Sequence, residues 1–401
     1  MINVLIVSCV FPPEPVVSAQ ISYTLSVNLQ QQGCRVTVIA PPPSRPAGFD
    51  LSNQHTDLHG VNLIYLNSKT SPGSSIAGRF LESYSFGKKA ATHIHKHYQQ
   101  IDIVYVNSWP LISQALIAKA CKDRGLPYII HIQDIYPESL INKLPPIIKQ
   151  VASALLMPID RYHLKHAFSV IAISEMMKKH LLNTRPVNAS KLLVVYNWQD
   201  ESLFNNLTVE RLPQQKFIFM YLGNIGPVAG VETLIKAFIK ANIPNSKLVI
   251  GGNGSQKTKC MQLATGHNYI NIQFINVAPG ETANIQNTAD VLLLPVIKGG
   301  ALSSIPSKLP AYMLSAKPII ATVDEGSDTA VAIQKANCGW VGQPESVDWL
   351  ADKMVSAYYT DIIELKRLGS NGYNYCMSNF SKKINLDRLI SEVTKPKGYA
   401  V

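Results

Sequence analysis

No two of the six cysteines in this chain (Cys9, Cys34, Cys121, Cys260, Cys338, Cys376) stand at CxxC spacing. That excludes a zinc ribbon, argues against a disulfide framework and leads us to expect a reducing compartment, the cytoplasm. No apolar run approaches the ~18 residues of a membrane span, and no Gly/Ser, Gln or charge-block segment signals low complexity. GxSxG, HExxH and GxxxxGKS/T are missing, which removes serine hydrolases, zincins and P-loop enzymes as leading readings. No DxD pair occurs either, so chemistry without a metal is expected. The start, MINVLIVSCVF, has no basic leader and runs into Pro12 and Pro13; it reads as a first strand and not as a secretory signal.

What is present is a globular composition. Of 401 residues, 46% are hydrophobic and 16% charged, too apolar for disorder, and the length predicts two domains. The net charge of +11 is uneven: residues 1–199 hold 18 Lys/Arg against 10 Asp/Glu, residues 200–401 hold 19 against 16. The first half therefore suits an anionic partner. Nucleic acid is disfavoured, because no zinc finger, recognition helix or RNP-type aromatic motif accompanies the charge. An anionic membrane surface carrying a phosphorylated lipid and charge that serves only solubility both remain; for the first, Lys143, Lys149, Arg161, Lys165 and His166 flank the stretch LPPIIKQVASALLMPI. Such a stretch can lie on a bilayer; an ordinary helix packed on its own sheet is an equal alternative.

Short β-branched runs (NVLIVSC, RVTVIA, NLIYL, DIVYV, PYIIHI, FSVIAI, KLLVVY) alternate with helix-length amphipathic segments. This is βαβ grammar and predicts a parallel sheet covered on both faces. The pattern restarts after the polar stretch NWQDESLFNNLTVERLPQQ with KFIFMYL, KLVIGG, IQFINV, DVLLLPV and PIIATV. We therefore expect two doubly wound, Rossmann-like domains facing a cleft, over 1–197 and 205–377, with a C-terminal helix over 378–401 returning to the first. Ligands bind at the carboxyl ends of strands in such sheets, so the loops after strands hold the candidate sites.

Three loops stand out. In YLGNIGPVAGVETLIKAF a strand ends in Gly223, Asn224, Ile225 and Gly226 and a helix opens near Gly230, a place where an anion could meet backbone amides; a plain tight turn is the alternative. The turn GGNGS at 251–255 is read as structural. In VIKGGALSSIPSKLPAYML, Lys298, Gly299, Gly300, Ser303, Ser304 and Lys308 could converge on a diphosphate. His93 and His97 share a helix face, but with no carboxylate or cysteine beside them they are read as a helix face and not as a metal site.

These loops resemble those of family 4 retaining glycosyltransferases of GT-B architecture, in particular the bacterial branch of N-acetylfucosaminyl- and colanic-acid-type fucosyltransferases. The resemblance covers nearly the whole chain and rests on FPPEPVVSAQ, GCRVTVIAPPP, QDIYPESL, AISEMM, VVYNWQDESLF, GNIGPVAGVETLIKAF and IPSKLPAYMLSAKPIIA. It implies that the first domain binds the acceptor and the second a UDP-sugar, with transfer that retains anomeric configuration and needs no metal or other cofactor. The diphosphate would meet Gly223, Asn224 and Gly226 and the stretch from Ser303 to Lys308, with the base near Asn276 and Val277. Lys298 and Lys308 would stabilise the leaving group and Asp134 would orient sugar or acceptor. Pro13, Glu14 and Gln133 would lie on the acceptor side. The acceptor would be a glycan on polyprenyl diphosphate, met at the cytoplasmic face of the inner membrane.

The chain departs from the family pattern at several of these positions. Asn224 and Ala229 stand where the family carries Arg and Lys, Ser303 and Ala311 replace a pair of glutamates, Gln133 replaces a histidine, and Val16 and Val17 replace two glycines. Two rivals stand beside this reading: a UDP-sugar 2-epimerase, since such enzymes share the architecture, and an inactive relative that only binds, suggested by the lost glutamate pair and the lost Arg and Lys.

Overall fold

A computed structural model of the protein describes residues 1–14, 16–44, 57–71, 76–107, 111–142, 144–204, 216–266, 271–278, 280–301 and 305–395. The chain divides into two compact units, Met1–Asn197 with Leu386–Val401, and Trp198–Asn385.

In the first unit the strands β1 (Asn3–Ser8), β2 (Arg35–Ala40), β3 (Asn62–Tyr65), β4 (Ile103–Asn107), β5 (Tyr128–Ile132), β6 (Ser169–Ala172) and β7 (Leu192–Val194) form one parallel sheet, in the order β3-β2-β1-β4-β5-β6-β7. Helices α1 (Val17–Gln31), α2 (Ile76–His97), α3 (Leu111–Asp123), α4 (Glu138–Ile141), α5 (Pro146–Lys165) and α6 (Glu175–Thr184) connect them. Strands β4 and β5 are buried at every residue, which is why they read as unbroken apolar runs. The edge strand β3 is only half-buried. Phe86, Ala90 and Ile94 of α2, Ile117 and Cys121 of α3 and Leu164 of α5 pack with β1, β4 and β5 into one core.

The second unit repeats the plan. Strands β8 (Phe217–Leu222), β9 (Ser246–Gly251), β10 (Ile272–Ile275), β11 (Val291–Pro295), β12 (Ile319–Thr322) and β13 (Gly339–Gly342) run parallel in the order β10-β9-β8-β11-β12-β13. Helices α7 (Val231–Ala241), α8 (Lys257–Thr265), α9 (Thr282–Asn287), α10 (Lys308–Leu314), α11 (Asp328–Ala336), α12 (Val347–Tyr358) and α13 (Ile362–Asn379) pack on it. Helix α7 buries Val231, Leu234, Ile235 and Phe238, its i, i+3, i+4, i+7 stripe. The chain then breaks at Phe380–Ser381, and α14 (Lys382–Val393) crosses the boundary between the units at Asn385 and Leu386.

Both sheets reverse strand order once, between β1 and β4 and between β8 and β11. At such a switch point the flanking loops diverge to opposite faces and leave a crevice at the strands' carboxyl ends. In the second unit the loops that flank it follow Leu222 and Pro295.

Candidate functional site

The glycine turn after β8 is built against the glycine turn after β9. Gly223 N donates to Gly251 O at 2.9 Å and Ile225 N to Asn253 O at 2.8 Å. A Cβ on Gly252 would sit 2.1 Å from Gly223 O, and one on Gly254 2.3 Å from Ile225 O. The second turn is thus glycine-rich because backbone packs directly on backbone. The Gly223 and Ile225 amides are thereby committed, whereas those of Asn224 and Gly226 find no acceptor among the described residues. The Tyr221 hydroxyl donates to Asn224 O at 2.7 Å and fixes the turn from below.

Helix α10 delivers Lys308 to this turn. A Cβ on Gly223 would lie 2.1 Å from Lys308 Cε and 3.0 Å from its Nζ, so the lysine side chain occupies the space that glycine leaves. Its ammonium sits over the Tyr221 ring, 5.3 Å from the centroid, and meets no carboxylate among the described residues. Burial holds its pKa below the ordinary lysine value. The helix is fixed by Tyr312, whose hydroxyl accepts from Leu222 N at 2.9 Å and donates to Leu222 O at 3.2 Å. Ala311, beside it, is buried.

The loop after β11 is arranged differently. Gly299 N donates to both Asp324 carboxylate oxygens, at 2.8 and 3.0 Å, and Ala301 N to one of them at 3.4 Å. Gly300 N donates to Ile297 O at 3.0 Å. These amides are engaged within the protein, and Gly299 has the left-handed φ of 82° that the turn requires. Lys298 is exposed. Ser303 and Ser304 lie outside the described residues. Asn276 is also exposed, and its Oδ1 accepts from Lys257 Nζ at 3.0 Å; the same ammonium reaches Asn253 Oδ1 at 2.9 Å. Val277 packs where a Cβ on Gly251 would go. Lys257 and Asp324 escaped the sequence reading, because each acts on a loop distant in the chain and neither sits in a recognisable motif.

In the first unit, Glu14 turns inward: it is buried, and its Oε1 accepts from Ser44 N at 2.8 Å, tying the loop after β1 to the one after β2. Pro13, next to it, is half-buried. Gln133 Oε1 accepts from Asn197 Nδ2 at 3.0 Å. Asp134 is exposed and its Oδ1 accepts from Ile135 N at 2.9 Å. The neighbouring Tyr136 phenol is raised by burial and by the Asp134 charge, against the pull of Arg79. Beneath this loop, Arg185 donates to Tyr136 O at 2.9 Å, to Glu138 Oε2 at 2.6 Å and to Asp160. Burial pushes Asp160 up to about 6 in spite of that guanidinium. Next door, His131 is wholly buried against the Tyr105 hydroxyl, 2.6 Å from Nδ1, and burial drives its pKa down to about 3.

His93 and His97 stack 4.6 Å apart on α2 and line a cavity of about 240 Å³ with Asn3 and Arg35, at the amino edge of the sheet and away from these loops. No three His, Cys, Asp or Glu side chains group to hold a metal ion among the described residues. All six cysteines are free and buried. No helix among the described residues is long and apolar enough to cross a membrane.

Residues 19–203 match the family Glycosyltransferase Family 4, and residues 205–375 match Glycosyl transferases group 1. The chain is 21% identical over 292 residues to the probable glycosyltransferase WbjE of Pseudomonas aeruginosa, covering 70% of this chain and 69% of the relative. A glycosyltransferase structure from Rickettsia africae superposes with a TM-score of 0.70 at 18% identity, covering 99% of each chain. Anabaena HepE in complex with UDP-glucose superposes with a TM-score of 0.66 at 15% identity, covering 98% of this chain and 99% of that one.

Proposed function

Because the chain belongs to the family 4 glycosyltransferases of GT-B architecture, we propose that it transfers a sugar from a UDP-sugar, with retention and without a metal ion, to a lipid-linked glycan in surface-polysaccharide synthesis. The observation that carries the donor assignment is Lys308. A half-buried ammonium with no carboxylate partner among the described residues, pressed onto a glycine turn whose Asn224 and Gly226 amides meet no acceptor among them, at the strand-order switch, has the charge and placement to take a diphosphate. The match to HepE, solved with UDP-glucose, supports UDP as the nucleotide, and the Lys257–Asn276 contact would stiffen the place expected for its base.

In this reading the bond between the anomeric carbon and the diphosphate oxygen breaks as the acceptor hydroxyl oxygen bonds to the same face of the sugar. The hydroxyl proton passes to the departing phosphate oxygen. Lys308 and the Asn224 and Gly226 amides stabilise the charge that develops there, the role in which loss of one fixed donor costs roughly 10²–10³ in rate. Lys298 serves as a second, solvent-exposed charge, and Asp134 orients sugar or acceptor. The resemblance in the sequence favours an N-acetylated deoxysugar such as N-acetylfucosamine as the transferred group. A glycan on polyprenyl diphosphate, in an O-antigen, capsule or exopolysaccharide pathway, is the acceptor, met at the cytoplasmic face of an anionic membrane.

The test is to incubate the protein and its Lys308→Met variant with a panel of UDP- and GDP-sugars, following hydrolysis, transfer and the shift in melting temperature. A ligand of the folded state raises that temperature. We expect a UDP-sugar to be turned over and the variant to lose turnover while keeping its fold. Equal turnover by the variant overturns the pocket assignment, and conversion of the donor without an acceptor identifies an epimerase instead.

A further inference from the structure

At the amino edge of the first sheet, polar side chains stand on a face that is otherwise apolar. Further along the strands, Leu5 of β1 and Ile39 of β2 belong to the core that Phe86, Ala90 and Ile94 of α2 complete. Nearer the strand starts the same face carries Asn3, in register with Arg35, and Thr37, in register with Asn62 of β3. His93 and His97, one turn apart on α2, stack their rings 4.6 Å apart over these residues. Together with Gln100 they line a cavity of about 240 Å³.

The chemistry of this lining is one-sided. The side chains of Arg35, His93, His97 and Gln100 find no hydrogen-bond or ion-pair partner among the described residues, and no carboxylate is among those that line the cavity. Asp102, next to Ile101, is engaged with Asn3, accepting from its N and Nδ2 at 2.9 and 3.0 Å. Lys96 adds positive charge on the helix, while His95 accepts from Arg124 Nε at 3.1 Å. Burial, His97 and Lys96 hold the His93 pKa below the ordinary histidine value, as expected where an imidazolium would meet no counter-charge. A metal ion is disfavoured, because the Arg35 guanidinium shares the cavity and neither thiolate nor carboxylate lines it. An oxyanion suits it: guanidinium is a planar fork that grips phosphate oxygens in pairs, and the amide and hydroxyl of Asn62 and Thr37 can meet ligand hydroxyls. The volume falls short of the ~300–1,000 Å³ of pockets for drug-sized ligands, which fits a small molecule and not a nucleotide or a glycan chain.

We propose that this cavity of the first unit is a second binding site, for a small phosphomonoester such as a hexose phosphate, with Arg35, His93 and His97 on the phosphate and Asn62, Thr37 and Gln100 on the hydroxyls. It lies at the opposite end of the strands from the loops that carry Glu14 and Asp134, and it draws on no residue of the second unit. It therefore stands apart from the donor pocket proposed around Lys308.

The experiment uses the full chain with its histidine rings labelled for NMR, the His93→Asn and His97→Asn variants assigning the two signals. Glucose 6-phosphate, sulfate and, as an uncharged control, glucose are titrated at millimolar concentration into the native protein and into Arg35→Gln and Lys308→Met. Arg35 is exposed, so its replacement should leave the fold intact. We expect glucose 6-phosphate to move both histidine signals in the native protein and in Lys308→Met alike, and to bind more tightly than sulfate, while glucose leaves them in place. Arg35→Gln should bind at least about tenfold more weakly, the worth of a charge-assisted hydrogen bond. A bound anion favours the imidazolium form, so sulfate, whose charge is constant over this range, should bind more tightly at about pH 6 than at about pH 8. The proposal is overturned if neither anion moves the signals, if glucose moves them equally, if glucose 6-phosphate binds no more tightly than sulfate, or if Arg35→Gln binds as well as the native protein. Loss of the shifts in Lys308→Met would overturn it too, by placing the anion at the donor turn. Donor turnover is measured separately, so failure here is distinguishable from failure of the glycosyltransferase assignment.

Discussion

Lys308 fills the space above the α-carbon of Gly223, so closely that a methyl group there would come within 2.1 Å of its Cε. Glycine at 223 is therefore required twice, by this approach and by a φ of 148° that strains any residue with a Cβ. In Gly223→Ala the backbone strain should cost about 1–3 kcal/mol and lower the melting temperature by several degrees. The displaced ammonium should weaken UDP binding by roughly ten- to a hundredfold, the worth of a charge-assisted hydrogen bond. Calorimetric titration with UDP checks this, and an unchanged affinity would show that the lysine does not meet the diphosphate.

Because burial lowers the Lys308 pKa, its proton should be coupled to donor binding. The ammonium is fully formed well below its folded pKa, so UDP affinity should be greatest there and fall as pH rises through that value. A bound diphosphate favours the charged form, so binding near that pH should take up a proton. Stability has the opposite sign. The unfolded chain holds the proton up to the ordinary lysine value, so between the lowered pKa and that value the folded state gains stability as pH rises. Titrations in buffers of different ionisation enthalpy should show uptake by the native protein and none by Lys308→Met.

The architecture was legible in the sequence because buried parallel strands leave unbroken β-branched runs such as VLIVS and IVYVN, and because the glycine turn after β8 interrupts one of them. What could not be read was which amides stay open. Gly299 and Gly300 look in sequence like a phosphate loop, yet their N–H groups go to Asp324 and Ile297 O. Glu14, a candidate for the acceptor side, points inward to the Ser44 amide. The Gly299 amide and Glu14 each depend on a partner brought in from another strand's loop, the Asp324 carboxylate as acceptor for the one and the Ser44 amide as donor to the other, and nothing in a linear motif encodes that partner. Conversely, the approach of Lys308 to Gly223 depends on α10 folding back across the switch point, a consequence of strand order.

Asp324 holds the loop that carries Lys298 by three amide hydrogen bonds. Asp324→Ala should release that loop, with a stability loss of about 1–2 kcal/mol for a half-exposed carboxylate. If the loop positions the donor, KM for the UDP-sugar should rise several-fold with little change in kcat, and Asp324→Asn should recover part of the loss through its one remaining oxygen. Separate measurement of KM and kcat decides the matter. A variant with native KM would confine Asp324 to a structural role.

The Arg185 guanidinium is buried between Asp160 and Glu138 while also donating to Tyr136 O. It thus joins α5, α6 and the loop that presents Asp134. Burial raises the Glu138 pKa, but hydrogen bonds from Arg185 and His180 outweigh it and leave this carboxyl below the usual range. Asp160, deeper, is left at about 6. Removing the cation in Arg185→Met leaves Asp160 without its guanidinium partner and Glu138 with His180 alone, a change that typically costs about 3–5 kcal/mol. Without the guanidinium that pulls it down, Asp160 should titrate higher than in the native protein, so the loss should be largest at alkaline pH and shrink as the solution is acidified, because protonation of Asp160 removes the uncompensated charge. Urea denaturation of the variant at two pH values tests this. Adding Asp160→Asn to Arg185→Met should recover stability at neutral pH, and a double variant no more stable than the single one would show that the network is held by packing and not by charge.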